Sequence, residues 1–214
     1  MTINRAVCYR CRKALVMCYC GDIEPFMSNP EFVILIHPKE TRKAINTGRM
    51  AFLAIKNSVL IVGNDVTDDP ALNRILTAPN KRCFLLFPGP DAVDLSEISA
   101  VASPSEFESQ AKTDVFIILD ATWTMAKKML RLSANLQALP QVMFRPPHPS
   151  RFIIREQPGL ICFSTIETIH HIIEKRGPSA AGHHHRLLQI FDDMVKKQID
   201  YELAKRASVD SADA

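Results

Sequence analysis

Short, uninterrupted apolar runs alternate along this chain with longer stretches of helical pattern. The clearest runs are Phe32–Ile36, Val59–Val62, Cys83–Phe87 and Val115–Leu119. Strands that are apolar on both faces are typical of a parallel sheet that is covered by helices on both sides. The sequence therefore predicts an α/β fold with a mostly parallel sheet and helices on both faces.

The rest of the chain fits the same pattern. Shorter strands are predicted at Val142–Phe144, Phe152–Arg155 and Leu160–Phe163. Helices are predicted at Gly48–Lys56, Thr122–Leu132, Thr165–Lys175 and His185–Lys205. The segment 145–150 contains three prolines and should be a loop, because proline forbids regular structure there. We expect a cysteine-containing knuckle over residues 1–24, an α/β domain over 25–207 and a frayed tail over 208–214.

Length and composition exclude several classes of protein. The chain has 214 residues, of which 47% are hydrophobic and 23% charged, so it can bury a core without disulfide bonds. Its apolar runs are far shorter than the ~20 residues of a membrane span, and the N-terminus lacks the apolar segment of a signal peptide. We expect a cytoplasmic protein with no membrane partner.

Four cysteines lie within thirteen residues near the N-terminus, at Cys8, Cys11, Cys18 and Cys20. In a reducing compartment such spacing favours a metal site over disulfide bonds. Four thiolates close a tetrahedral shell around zinc and leave no open position, so the predicted zinc is structural. The alternative is a set of free or redox-active thiols.

Common nucleotide and hydrolase motifs do not occur in the sequence. No glycine-rich dinucleotide fingerprint, P-loop or HExxH motif follows a predicted strand, and the chain has only seven glycines. This argues against a nicotinamide enzyme or an NTPase. Polar or turn-forming residues follow the predicted strands instead. Ligands of parallel α/β sheets bind beyond the carboxyl ends of the strands, so these residues are the candidates for a binding site.

One such strand exit reads Asp120-Ala121-Thr122-Trp123 and is followed by a basic helical segment. Five further features occur with it along residues 8 to 203: the cysteines, His37-Pro38-Lys39-Glu40 with Asn46-Thr47-Gly48-Arg49, Leu85-Leu86-Phe87-Pro88, Arg151-Phe152-Ile153-Ile154-Arg155 and Ser164-Thr165-Ile166-Glu167. Together they resemble the DTW-domain family, whose name comes from the D-x-T-W motif.

The resemblance implies a function and a fold. Characterised members of the family are tRNA-uridine aminocarboxypropyltransferases, which move the 3-amino-3-carboxypropyl group of S-adenosylmethionine to N3 of a uridine. Similarity to the bacterial branch points to the variable loop of tRNA, with tRNA rather than DNA as the partner. Relationship to the SPOUT methyltransferases implies a C-terminal trefoil knot.

The motif supplies the candidate catalytic residues Asp120, Thr122 and Trp123. A carboxylate beside N3 would help as general base, and we assign that role to Asp120, although Asp is also a favoured helix cap. Trp123 could stack on a base or on adenine, but anchoring of the core is the favoured interpretation. Thr122 either donates to a ligand or supports the cap.

Residues at the other strand exits are candidates for donor binding. Phe87, Pro88 and Gly89 could form an apolar wall for adenine. Ser164, Thr165 and Glu167 resemble the S-T-x-E pattern of the family and could contact the donor, as could Asp120. The same S-x-x-E spacing is a capping box, which would explain those residues without any ligand.

Basic residues concentrate in two parts of the sequence. Residues 121–155 contain six Lys or Arg and no acid, and the first twenty residues contain four bases and no acid. Such segments suggest a basic face for RNA, although ordinary solvated charge is the alternative. The candidate RNA-binding residues are Arg10, Arg12, Arg42, Asn46, Thr47, Arg49, Lys127, Arg131, Arg151 and Arg155.

Two other functions stay open at this point. One is a SPOUT-like RNA methyltransferase that uses the same donor, and the other is a non-catalytic, zinc-dependent RNA-binding module.

The triplet His183-His184-His185 is interpreted as a polar helix start rather than a metal site, because adjacent helical residues point to different sides.

Overall fold

The computed structural model describes residues 6–43, 45–95, 112–151, 163–176 and 182–210, with side chains as far as residue 204. A six-stranded sheet lies at the centre, with the strand order β2-β1-β5-β3-β6-β4. Every pairing in it is parallel. The strands are β1 Glu31–Ile36, β2 Val59–Val62, β3 Lys81–Leu86, β4 Val93–Asp94, β5 Thr113–Asp120 and β6 Gln141–Met143.

Six helices connect and cover the strands. They are α1 Thr47–Ala54, α2 Pro70–Leu76, α3 Trp123–Leu132, α4 Ala134–Gln137, α5 Thr165–Arg176 and α6 His185–Asp210. Two single 3₁₀ turns occur at Leu15–Met17 and Glu40–Arg42. Local capping explains two of the starts: Asn46 accepts from the Arg49 amide at the start of α1, and Asp69 accepts from the Leu72 amide at the start of α2.

The sheet separates two apolar cores. Alternate residues of β1 and β5, such as Ile34 and Phe116, pack against α1, α5 and α6. Their neighbours in sequence, such as Val33 and Ile117, pack against α2, α3 and α4 on the other side. The predicted parallel sheet with helices on both faces is therefore confirmed.

The structure adds three elements that the sequence reading missed: β4, α2 and α4. β4 and α4 are too short to show a period, but α2 carried a usable signal, because Asp69-Pro70 is a cap followed by proline at the first helical position. The predicted strand 152–155 lies outside the described residues, as does most of the predicted strand 160–163. Helix α6 continues to Asp210, into the segment 208–214 that was predicted to fray.

The chain path between β6 and α5 and the character of the helices bear on two further expectations, a knot and the absence of a membrane span. The trefoil knot remains a prediction, because residues 152–162, which connect β6 to α5, lie outside the described part of the chain. None of the helices among the described residues has both the length and the apolar character that a membrane crossing requires.

Candidate functional site

A cleft with a volume of about 330 Å³ opens at the carboxyl ends of β3, β5 and β6. Its size lies within the range of small-molecule sites, and its position is the usual one for ligands in a parallel sheet. One side is apolar and the other carries hydroxyl and carboxyl groups. The apolar side includes Leu86, Phe87, Pro88, Trp123, Val142, Met143, Phe144 and Phe163, and the polar side includes Thr47, Asp120, Ser164, Thr165 and Thr168.

Asp120, the last residue of β5, provides the only carboxylate among the described residues that line this cleft. Its side chain is 7% exposed, and Thr165 Oγ1 donates a hydrogen bond of 2.8 Å to its Oδ1. Thr165 begins α5, and Gly48 lies in the first turn of α1. The positive ends of helix dipoles favour negative charge, so both helices support the ionised carboxylate that can accept a proton.

Gly48 is required for this arrangement. A Cβ atom at this position would lie 2.4 Å from Asp120 Oδ2 and 2.8 Å from its Cγ. The absence of a side chain therefore lets the carboxylate approach the backbone of α1. In the sequence, Gly48 is part of the segment Asn46–Arg49 that resembles the family, but nothing in that segment indicates the contact with Asp120.

Two expectations for the motif are wrong. Asp120 does not cap α3, because the N-cap is Thr122 and the Asp120 carboxylate bonds across the site to α5. The Thr122 hydroxyl makes no capping hydrogen bond. Trp123 does not anchor the core: it is 40% exposed and lines the cleft, where its ring meets Phe87 edge to face at 5.9 Å between centroids.

Glu167 and Ser164 form the expected capping box at the start of α5. The Ser164 amide donates to Glu167 Oε2 at 2.8 Å, and the Glu167 amide donates to Ser164 Oγ at 3.5 Å. The carboxylate of Glu167 also accepts from Ser150 Oγ and from the Arg151 amide, which ties the proline-containing loop to α5. Glu167 is 3% exposed and does not line the cleft, and Gly89, the third residue of the predicted wall, packs against Gln141.

The four cysteines of the knuckle converge on one point. Cys8 Sγ lies 3.8 Å from Cys20 Sγ, and Cys11 Sγ lies 3.7 Å from Cys18 Sγ. All four sulfur atoms lie within 4.8 Å of one another. A tetrahedral site with ~2.3 Å zinc–sulfur bonds places its sulfurs roughly 3.8 Å apart, so the two separations of 3.8 and 3.7 Å match such a site.

The backbone of the knuckle prepares one of these sulfurs for a metal. Amide groups of Cys11 and Arg10 donate to Cys8 and lower the pKa of its thiol to about 6. Burial and the neighbouring thiols raise the pKa of Cys20 to about 12. Without a cation, crowding therefore opposes complete ionisation of the cluster, and a bound metal would supply the missing positive charge.

Comparison with known families agrees with this combination of cleft and knuckle. The DTW domain family model matches residues 5–199. The chain belongs to the DTW domain family. No solved structure matches it.

Curated relatives of this DTW domain protein carry enzyme names. The Drosophila melanogaster tRNA-uridine aminocarboxypropyltransferase 2 is 30% identical, with 77% of this chain and 64% of the relative aligned. The Mus musculus protein of the same name is 23% identical, over 77% of this chain and 54% of the relative. The Arabidopsis thaliana tRNA-uridine aminocarboxypropyltransferase A is 24% identical, over 92% and 83%.

The chain thus spans about half to two thirds of the length of the fly and mouse relatives. These three relatives come from animals and a plant, so placement in a bacterial branch stays a prediction.

The structure separates the predicted RNA-binding residues of this DTW domain into two groups. Arg10, Arg12, Arg42, Lys127 and Arg131 are exposed. Asn46 and Thr47 are buried, because the first caps α1 and the second lines the cleft. Arg49 is 8% exposed, and burial together with the charge of Arg12 lowers its pKa. Asn46 and Arg49 are therefore withdrawn from solvent, whereas Thr47 faces the cleft, and contact of these three residues with RNA stays a prediction.

The remaining two candidates are Arg151 and Arg155. Arg151 is exposed but donates to Asp192 Oδ2 at 2.8 Å, so it is already paired with α6. Arg155 lies outside the described residues.

Helix α3 presents its predicted basic face to solvent. Lys127, Lys128 and Arg131 are exposed and form no ion pair with a described residue. Met129 is buried on the opposite side, and Leu132, the last residue of α3, is exposed.

Several cleft residues were missed from the sequence, chiefly Met143, Phe144 and Phe163. They read as ordinary strand or loop residues, and only the fold brings them to one wall. Thr168 carried a recoverable signal, since it follows Thr165 by three positions and shares its helix face.

Proposed function

We propose that this DTW domain protein is a tRNA-uridine aminocarboxypropyltransferase that modifies N3 of a uridine in the variable loop of tRNA. The observation that carries the proposal is the Asp120 carboxylate, which lies in a cleft at the strand ends and is supported by two helix N-termini. Family membership and the names of the curated relatives support the same reaction.

S-adenosylmethionine, when bound, supplies the aminocarboxypropyl group, which is bonded to the sulfonium sulfur through one of its carbons. The rest of the donor departs as 5′-methylthioadenosine. The cleft suits a donor with a flat apolar end and a charged end. Phe87, Pro88 and Trp123 offer surfaces on which adenine can stack. The hydroxyls of Thr47 and Thr168 can bond the amino-acid end, whereas Ser164 Oγ already donates to Glu167 Oε2 at 2.7 Å.

Asp120 is the proposed general base. Uridine N3 is a weak nucleophile while it retains its proton, so the carboxylate accepts that proton as the new N3–carbon bond forms and the carbon–sulfur bond breaks. Thr165 holds one oxygen of the carboxylate and leaves the other directed towards Gly48. Which carbon of the donor lies in line with N3 decides between transfer of the aminocarboxypropyl group and of a methyl group, so the cleft has to fix donor and uridine relative to each other.

Zinc in the knuckle is proposed to be structural, held by Cys8, Cys11, Cys18 and Cys20. Cys11 and Tyr19 are buried in the core that contains α1. Tyr9 is 98% exposed and lies between ligands, beside the exposed Arg10 and Arg12. An exposed aromatic ring with flanking cations can stack on an unpaired base and contact phosphates, so we assign the knuckle to tRNA docking.

The test is mass analysis of tRNA nucleosides after incubation of protein, unmodified tRNA and S-adenosylmethionine. The proposal expects 3-(3-amino-3-carboxypropyl)uridine and an equal amount of 5′-methylthioadenosine, and nuclease mapping should place the product in the variable loop. A methylated nucleoside with S-adenosylhomocysteine would instead identify a methyltransferase. Tight tRNA binding without consumption of the donor would identify a non-catalytic RNA-binding module.

A further inference from the structure

A second group of potential metal ligands lies where α5 meets α6, and it shares no residue with the cleft or the knuckle. His170 and Glu174 are one turn apart on α5, and His184 and His185 stand at the start of α6. Each residue offers one ligand atom, and these four atoms lie within 4.8 Å of one another.

The contacts in this group are polar and specific. His170 Nε2 lies 3.2 Å from His185 Nδ1, and His185 Nε2 lies 3.5 Å from Glu174 Oε1. His184 Nε2 hydrogen-bonds Glu174 Oε1. His184 is only 1% exposed, so one member of the group is fixed inside the protein, whereas His185 is exposed.

The sequence reading excluded a metal here because adjacent helical residues point to different sides. The structure shows why that argument fails. His184 lies in the turn before α6, and only His185 belongs to the helix. The two imidazole rings therefore lie side by side, tilted by 36° with 4.3 Å between their centroids, and both contact α5.

We propose that His170, Glu174, His184 and His185 bind a zinc ion. Imidazole nitrogen and carboxylate oxygen bind zinc at ~2.0–2.2 Å, which puts tetrahedral ligand atoms roughly 3.4 Å apart. With His185 bound through Nδ1, its 3.2 Å separation from His170 Nε2 is close to that value. All four ligand atoms lie within 4.8 Å of one another, so modest side-chain rotations would admit the ion. Four protein ligands leave no open position, which makes this site structural.

The proposed ion joins two helices that pack in the same core and that residues 177–184 connect along the chain. It would fix the start of α6 against the C-terminal half of α5. Helix α5 also carries Thr165 and Thr168 at its other end, where they line the cleft. The second zinc would therefore stabilise the helix that positions one wall of the cleft, without contacting any ligand there.

The experiment measures zinc per chain on the full-length protein after dialysis against a zinc buffer. Wild type should hold two zinc ions. Glu174→Gln and His185→Ala should each hold one, and both replace partly exposed side chains, so the fold should persist. His183→Ala is the matched control, because His183 is exposed, adjacent and outside the group, and it should still hold two.

Cobalt substitution assigns the sites without reference to activity. The cysteine site should give thiolate-to-cobalt charge-transfer absorption. The Glu174→Gln variant should keep this absorption in full but bind one cobalt per chain instead of two. A wild type with one zinc, or variants of Glu174 and His185 that still hold two, would overturn the proposal and leave a metal-free hydrogen-bonded cluster. Neither result depends on the transferase reaction, so the two proposals fail independently.

Discussion

The knuckle and the cleft are built in opposite ways. All four cysteines of the knuckle come from thirteen consecutive residues, whereas the cleft combines side chains from Thr47 to Thr168. The geometry of the knuckle depends on local turns, and that of the cleft depends on the register of β3, β5 and β6. The comparison teaches that a locally encoded site can be recognised from spacing, while a site assembled by a sheet needs the fold.

Helix α1 connects the two regions. Gly48 lies against Asp120 in the cleft, and the next residue, Arg49, is buried beside the knuckle. Burial and the neighbouring charge of Arg12 lower the pKa of Arg49, which shows how closely the knuckle covers it. We expect the two regions to act separately in donor chemistry and together in tRNA binding.

The largest expected effect follows from Asp120→Asn. The amide keeps an oxygen that can accept from Thr165 but cannot remove a proton, so turnover should fall by about 10²–10⁴-fold with the fold intact. Single-turnover kinetics and a thermal unfolding curve check both parts. Near-normal turnover would show that Asp120 is not the base.

The next largest effect is expected from Gly48→Ala. The added methyl group would lie 2.4 Å from Asp120 Oδ2 and displace the carboxylate. A misplacement of about 1 Å can cost roughly 10²-fold in rate. Gly21→Ala is the matched control in the knuckle, where a Cβ meets nothing within 4 Å. Equal rates for both variants would remove Gly48 from the site.

Trp123→Ala tests the exposed ring at the cleft. Loss of base stacking costs about 1–3 kcal/mol, so binding of tRNA or donor should weaken by roughly 5- to 150-fold. Trp123→Phe should recover most of the affinity, since it keeps a stacking surface. Isothermal titration with each ligand separates the two partners. If neither affinity changes, Trp123 packs only against Phe87.

A double change of Lys127 and Arg131 to Ala should weaken tRNA binding. The slope of log affinity against log salt should fall by roughly 0.7–0.9 for each lost phosphate contact, with donor binding unchanged. Lys175 and Lys196, which are exposed on α5 and α6 across the sheet, provide the control pair. The idea that α3 docks tRNA fails if both double variants give the same slope.

The smallest effect on the cleft is expected from Cys8→Ser. This change should release the knuckle zinc and unfold mainly the first twenty or so residues, because the metal closes that local structure. Binding of tRNA should weaken, but donor affinity should stay close to wild type. Metal content and donor titration check this, with Cys83→Ser as the control outside the cluster. A large loss of donor affinity would contradict the separation of the two regions.

The sequence predicted the features that short-range chemistry controls. Uninterrupted apolar runs such as Phe32–Ile36 fit only strands that are buried on both faces, so the parallel sheet followed from them. The cysteine spacing indicated that four thiols converge, and the S-x-x-E spacing indicated a capping box, because each depends on residues a few positions apart.

Tertiary structure decided the contacts between residues that are far apart in the chain. The contacts of Gly48 with Asp120 and of His170 with His185 could not be predicted from the sequence, because each forms only when the helices are packed in the fold. The same reason explains the errors: whether Trp123 is buried, or Arg49 exposed, depends on what the fold places next to it. Periodicity shows which face of an element is apolar, but only packing determines which partner covers that face.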